Sequence, residues 1–140
     1  MKENGIIILG IILILFAVIM FSGCTSSSAT YNGSQMSFQY PSDCEVKEVR
    51  SLNGTMVMVN KDSKTEVSVR VINNSTETKN VIANSSTYRG QETIGGVVCD
   101  VYSNSEGLHN YFFQKNGKNI RVWCGGLYKD TAKQIIQTIQ

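Results

Sequence analysis

The stretch His109-Asn-Tyr-Phe-Phe-Gln-Lys-Asn-Gly-Lys-Asn-Ile-Arg-Val-Trp-Cys124 decides the fold. Asn116-Gly117 stands between two runs rich in aromatic and β-branched residues, and Asn-Gly supplies the positive φ angles that a two-residue type I′ turn requires. Pairing outward from that turn sets Phe113 opposite Ile120, Tyr111 opposite Val122 and His109 opposite Cys124 on one face of a hairpin. Arg121 and Trp123 share the other face with Phe112 and Gln114, because successive side chains of a strand point to opposite sides.

Upstream, residues 97–103 read as a further strand, with a loop at 104–107 and Gly95-Gly96 permitting a tight approach to it. Asn53-Gly54 joins a strand over 46–52 to one over 55–60, and residues 60–64 turn into an alternating strand over 65–72. There Val67, Val69 and Val71 face one way, while Glu66, Ser68 and Arg70 face the other. At the C-terminal end the period changes. Asp130 is expected to cap a helix whose apolar positions Ala132, Ile135, Ile136 and Ile139 form one stripe. Between Asn73 and Gly90 a short helix and a polar loop fit equally well. The fold class is α+β, a meandering antiparallel sheet covered by one or more helices and preceded by an N-terminal hydrophobic segment.

That segment is the uncharged run GIIILGIILILFAVIMF at residues 5–21, followed by Ser22-Gly23-Cys24. At about 1.5 Å per residue it reaches roughly 25 Å, short of a hydrocarbon core of about 30 Å. Phe21-Ser22-Gly23-Cys24 resembles the lipobox of bacterial-type lipoproteins, which implies cleavage before Cys24 and a diacylglyceryl group on its thiol. The alternative is an uncleaved signal anchor. Both place the N-terminus inside and the rest outside, since Lys2 is the only basic side chain near the run before Lys47. The expected organisation is a signal peptide or anchor at 1–23, a Ser/Thr-rich tether at 24–31 and one extracytoplasmic domain at 32–140. Sequons for N-glycosylation stand at Asn32, Asn53, Asn73, Asn74 and Asn84.

Along the domain stand, in order, Met36-Ser-Phe-Gln-Tyr-Pro41, Gly95-Gly96, the hairpin FFQKNGK at 112–118, and the closing Ala132-Lys-Gln-Ile-Ile-Gln-Thr-Ile139. This order of landmarks resembles the PsbP-like fold, also seen in small bacterial and archaeal lipoproteins. The resemblance implies an extracytoplasmic α-β-α sandwich and transfers no catalytic residues. An Ile- and Asn-rich chain with several sequons leans archaeal.

Chemistry motifs are sparse. A formal net charge of +2, with acids and bases interspersed, gives no basic stripe for nucleic acid. No Cys-x-x-Cys spacing, phosphate loop or Gly-x-Ser-x-Gly elbow occurs, and His109 is the single histidine. The sequence therefore points to no catalytic, cofactor or metal residues. Cys99 lies two strands away from Cys124 and offset along them, beyond the roughly 7 Å Cα limit of a bridge. That leaves Cys44–Cys124 as the candidate disulfide, against none at all. Trp123 beside Arg121 is the candidate interaction surface if the second sheet face is not wholly covered. The expected role is a non-catalytic envelope lipoprotein, held to the membrane by lipid or N-terminal helix and acting as an accessory or interaction domain for a protein partner. A small-ligand-binding module is the alternative, and a hydrolase fits least.

Overall fold

The computed structural model describes residues 27–51 and 54–140. The hydrophobic run, Cys24 and Asn53 lie outside the described residues. Among those described, no helix is long and apolar enough to cross a membrane.

The hairpin around Asn116-Gly117 forms as its turn chemistry dictates. Strands β8 (His109–Lys115) and β9 (Lys118–Cys124) flank it, with φ of +51° at Asn116 and +73° at Gly117. Phe113 pairs with Ile120, Tyr111 with Val122 and His109 with Cys124, the expected register. β7 (Val97–Ser103) pairs with β8, and β6 (Thr87–Ile94) with β7. Gly95-Gly96 is the two-residue turn between β6 and β7, with both φ values positive at +55° and +82°. The sequence reading missed β6 because this outer strand is mostly polar, and only Ile94 is fully covered.

The first half is a second meander, β3 (Glu45–Ser51), β4 (Gly54–Lys61) and β5 (Lys64–Ile72). Joining the halves through β5 and β9 gives an antiparallel seven-stranded sheet ordered β3-β4-β5-β9-β8-β7-β6. A separate hairpin of β1 (Ser28–Asn32) and β2 (Ser37–Pro41) makes a two-stranded sheet. The chain leaves β5 near the middle of the large sheet and re-enters at its far edge, so the connection must cross one face. That crossover is helix α1 (Ser75–Ala83), which starts on an Asn74 cap whose side chain accepts from Glu77 N. Of the two readings left open for 73–90, a helix followed by a strand is the outcome.

Helix α2 (Lys129–Thr138) covers the opposite face. Its Ala132, Ile135 and Ile136 are fully buried, as is Ile139 just beyond it, against Val69, Val122, Tyr111 and Cys99 of the sheet and Phe38 of the hairpin. β2 is tied to the chain after α2 by Ser37 N to Gln140 O at 3.1 Å and Gln140 N to Ser37 O at 2.9 Å. Asp130 does not cap this helix. A 3₁₀ turn at Gly126–Tyr128 leads into it, the cap position is Tyr128 without a side-chain bond, and Asp130 sits in the first turn. There its charge still complements the helix dipole. The result is an α+β domain with the sheet between two helices.

Glu66 also departs from the expected alternation. A register shift between Val59 and Asn60 inserts an extra residue opposite β4. Glu66 is buried, 6% exposed, and its Oε2 lies 3.9 Å from Cys44 Sγ. A bulge of this kind re-aims one side chain. Burial then raises the Glu66 pKa above the ordinary carboxylate value.

Candidate functional site

The face crossed by α1 carries the polar and aromatic side chains of the alternation. Phe112 lies opposite Arg121 and Asn110 opposite Trp123, so the hairpin places the guanidinium and the indole on this face as expected. The β5–β9 pairing adds what local pattern could not show. Arg70 is the cross-strand partner of Arg121, and Ser68 that of Trp123. Two guanidiniums therefore stand side by side on neighbouring strands, where like charges are destabilising unless something offsets them.

Each arginine is held differently. Arg121 donates from Nε at 2.8 Å and from Nη2 at 2.6 Å to the same Oδ1 of Asn110, which is 2% exposed. Its Cζ lies 5.9 Å from the Phe112 ring centroid, a cation–π contact. Burial, and secondarily the neighbouring Arg70 charge, pushes the Arg121 pKa below its ordinary value. Arg70 Nε is buried and has no hydrogen-bond partner among the described residues. Neither arginine joins any of the ion pairs of the described residues, which are Arg50–Glu48, Lys61–Asp43, Lys79–Asp100 and Lys133–Glu92.

The arginine pair sits where two hollows meet. One, about 370 Å³, is walled by Met56, Met58, Ser68 and Trp123 beside Arg70 and Arg121. The other, about 510 Å³, runs under α1, where Glu77, Val81 and Ile82 face the same two arginines. Farther along, Lys79 of α1 reaches Asp100 at 2.5 Å and lies 5.8 Å from the Phe112 centroid. Gln91 donates to the other Asp100 oxygen at 3.1 Å. These bonds hold the Asp100 carboxyl below its usual range, the Lys79 contact being the largest cause. Asp100 thus lies on the side away from Cys99 and anchors α1. Tyr102 packs edge-on against Phe112 at 5.6 Å and at a tilt against Tyr88 at 5.1 Å, continuing the aromatic row to the sheet edge.

The remaining sequence-derived residues are dispersed. Cys44, Cys99 and Cys124 are free and buried, so the expected Cys44–Cys124 bridge is not formed. The Cys44 thiol is directed to the Asp43 and Glu66 carboxylates, at 3.8 Å and 3.9 Å, while Cys124 ends β9 opposite Val67 and His109. His109 stacks on Tyr111 at 6.4 Å, and burial lowers its pKa, favouring the neutral ring. Asn32, Asn73, Asn74 and Asn84 are exposed, and Asn74 is also the α1 cap. Among the described residues no cluster of His, Cys, Asp and Glu is arranged to hold a metal.

Arg70, Met56 and Met58 were not singled out from the sequence. The alternation of β5 puts Arg70 outward, as expected, yet nothing local signals that β5 lies beside β9. The chain matches no protein-family model and no curated protein.

Proposed function

We propose that the chain is an extracytoplasmic lipoprotein anchored at Cys24, whose single α+β domain is non-catalytic and recognises an envelope component through the Arg121–Trp123 face. One observation carries this reading. Two guanidiniums that form no ion pair among the described residues lie beside a half-buried tryptophan on the part of the sheet that α1 leaves uncovered. Arginine and tryptophan are the side chains most concentrated at binding hot spots. The non-catalytic reading is supported by the thiols, pushed by burial to about 11 at Cys44 and about 12 at Cys99 and Cys124, which leaves little thiolate to attack anything. Helices on opposite faces of the sheet support a PsbP-like sandwich as the finer description of the fold.

The test uses the full chain in its native membrane. Mass spectrometry of the mature protein is expected to find a lipid-modified N-terminus at Cys24, and Cys24→Ser is expected to block maturation. A photo-crosslinking residue at position 123 is expected to trap an envelope component, while the same residue at Lys115 traps none. An intact Met1 terminus overturns the lipid anchor, and equal labelling at both positions overturns the face.

A second reading, a small-ligand-binding module on the cell surface, is favoured by the shape of the site. The hollow beside Trp123 is concave and combines an apolar wall with two convergent charges, the usual composition of a ligand pocket.

A further inference from the structure

The ligand-binding reading is taken one step further by the chemistry of the arginine pair, and the following rests on that reading. We propose that Arg70 and Arg121 form a binding site for an oxyanion, a carboxylate or a phosphate ester, carried on a small apolar body that lies against Trp123, Met56 and Met58.

Cross-strand neighbours in an antiparallel pair lie about 4.5–5.5 Å apart at their Cα atoms, so these two cations repel at short range. Among the described residues no carboxylate pairs with either cation. Asp100 is held by Lys79, and the bulge turns Glu66 inward to Cys44. Glu77 borders the groove under α1, but its carboxylate faces Asn74 Nδ2 at 3.4 Å and makes no ion pair with either arginine.

Geometry supplies the second strand of the argument. Arg121 is fixed by Asn110 through Nε and Nη2, so one edge of its fork is committed and its position is set in advance. Arg70 retains a buried donor, Nε, with nothing to accept from it among the described residues. A buried unpaired donor is costly, and two oxygens of a carboxylate or of a phosphate ester satisfy guanidinium donors in pairs. Arginine is better suited to this than lysine because its donors form a rigid fork.

The apolar wall sets the rest of the ligand. Trp123 offers a flat surface, and the two methionines are unbranched and adaptable. A hollow of about 370 Å³ has room for a ring or a short chain.

Trp123 is the single tryptophan of the chain, so its emission reports on this site alone. The experiment titrates the full chain in detergent with phenyl phosphate, benzoate, inorganic phosphate and benzyl alcohol. Saturable quenching by phenyl phosphate or benzoate is expected. Inorganic phosphate is expected to bind about tenfold more weakly, and benzyl alcohol is expected not to saturate. Arg70→Gln is expected to weaken the binding of the aromatic anions about tenfold, the loss of one charge-assisted hydrogen bond. Glu77→Gln is expected to leave binding equal or tighter. If Arg70→Gln does not fold, added sodium chloride decides with the unaltered chain, because binding to guanidiniums must weaken as salt rises.

Equal affinity for benzyl alcohol and phenyl phosphate overturns the proposal, as does equal affinity for inorganic phosphate. So does absence of saturation by either aromatic anion, unchanged binding in Arg70→Gln, or binding indifferent to salt. If the aromatic anions fail while benzyl alcohol saturates, the anion chemistry alone is rejected and the ligand-binding reading stands; if none of the four probes saturates, that reading loses its support as well.

Discussion

Cys44, Cys99 and Cys124 show how much a residue's role depends on where the sheet puts it. All three are buried among core side chains, and burial is the largest cause of each raised thiol pKa. Free thiols in such surroundings behave as small apolar side chains. In the native protein at pH 8 these three thiols are therefore expected to react very slowly with a thiol reagent, Cys44 fastest since its thiol is shifted least, to about 11. After unfolding without reductant, all three downstream thiols should be recovered. A shortfall of two would establish a bridge. Arg121 allows a second residue-scale prediction. It is the partner of the nearly inaccessible Asn110 Oδ1, so Arg121→Met leaves that oxygen unpaired and is expected to cost about 1–3 kcal/mol. A chemical denaturation midpoint unchanged in Arg121→Met would show that Asn110 has another partner. The face occupied by Arg121 and Trp123 could be read from the sequence, because alternation from a well-marked turn is a local rule. The neighbour Arg70 could not, because its proximity comes from pairing two strands that are remote in the chain.

Among the elements, legibility follows the strength of the local signal. The Asn116-Gly117 hairpin and β7 combine a turn feature with clear periodicity, and α2 is legible from its apolar stripe alone, since the expected Asp130 cap does not form. β6 lacks that signal, since its exposed positions are Thr87, Tyr88, Arg89, Gln91 and Thr93. Its identity comes from Gly95-Gly96, whose positive φ angles fold it onto β7. Helix α1 was ambiguous because it buries no residue at all. A helix of this length without a packed face is marginal alone. What holds it is the Asn74 cap, Lys79 on Asp100 and the contact of Lys79 with Phe112. The lysine and aspartate side chains are 32% and 24% exposed, so solvent screening keeps the pair near about 0.2–1 kcal/mol. The folded Asp100 pKa lies below its unfolded value of 3.8, so this contribution is fully present above that value. It is lost as the pH falls through the lower, folded value. Amide exchange in α1 is expected to speed up over that acid range relative to β8. In Lys79→Met it is expected to be faster already at neutral pH and to lose that acid step. Identical α1 exchange in the two proteins at neutral pH would mean that the ion pair does not hold the helix.

At the scale of the whole molecule, the two faces of the sheet have opposite tasks. One is closed by α2 and the β1–β2 hairpin into the core, and the other carries charge, aromatic rings and hollows under a lightly held helix. Stability should therefore reside almost entirely on the α2 side. Ile135, Ile136 and Ile139 are fully buried, and each contributes about 1.5–3 kcal/mol through burial. Ile136→Ala also leaves a cavity, so its expected cost is about 2–5 kcal/mol, against a total of about 5–15 for a domain of this size. That corresponds to a fall in melting temperature of about 8 °C or more. Val81 on α1 is the matched control, because it is 62% exposed. Val81→Ala should change stability by less than about 0.5 kcal/mol, as surface substitutions away from special features do. Thermal melts of the full chain in detergent distinguish the two faces directly. If Ile136→Ala melts where the parent does, α2 is not docked and the core lies elsewhere. If Val81→Ala proves as costly as Ile136→Ala, α1 is a structural layer, and the groove beneath it is closed and not open to a ligand.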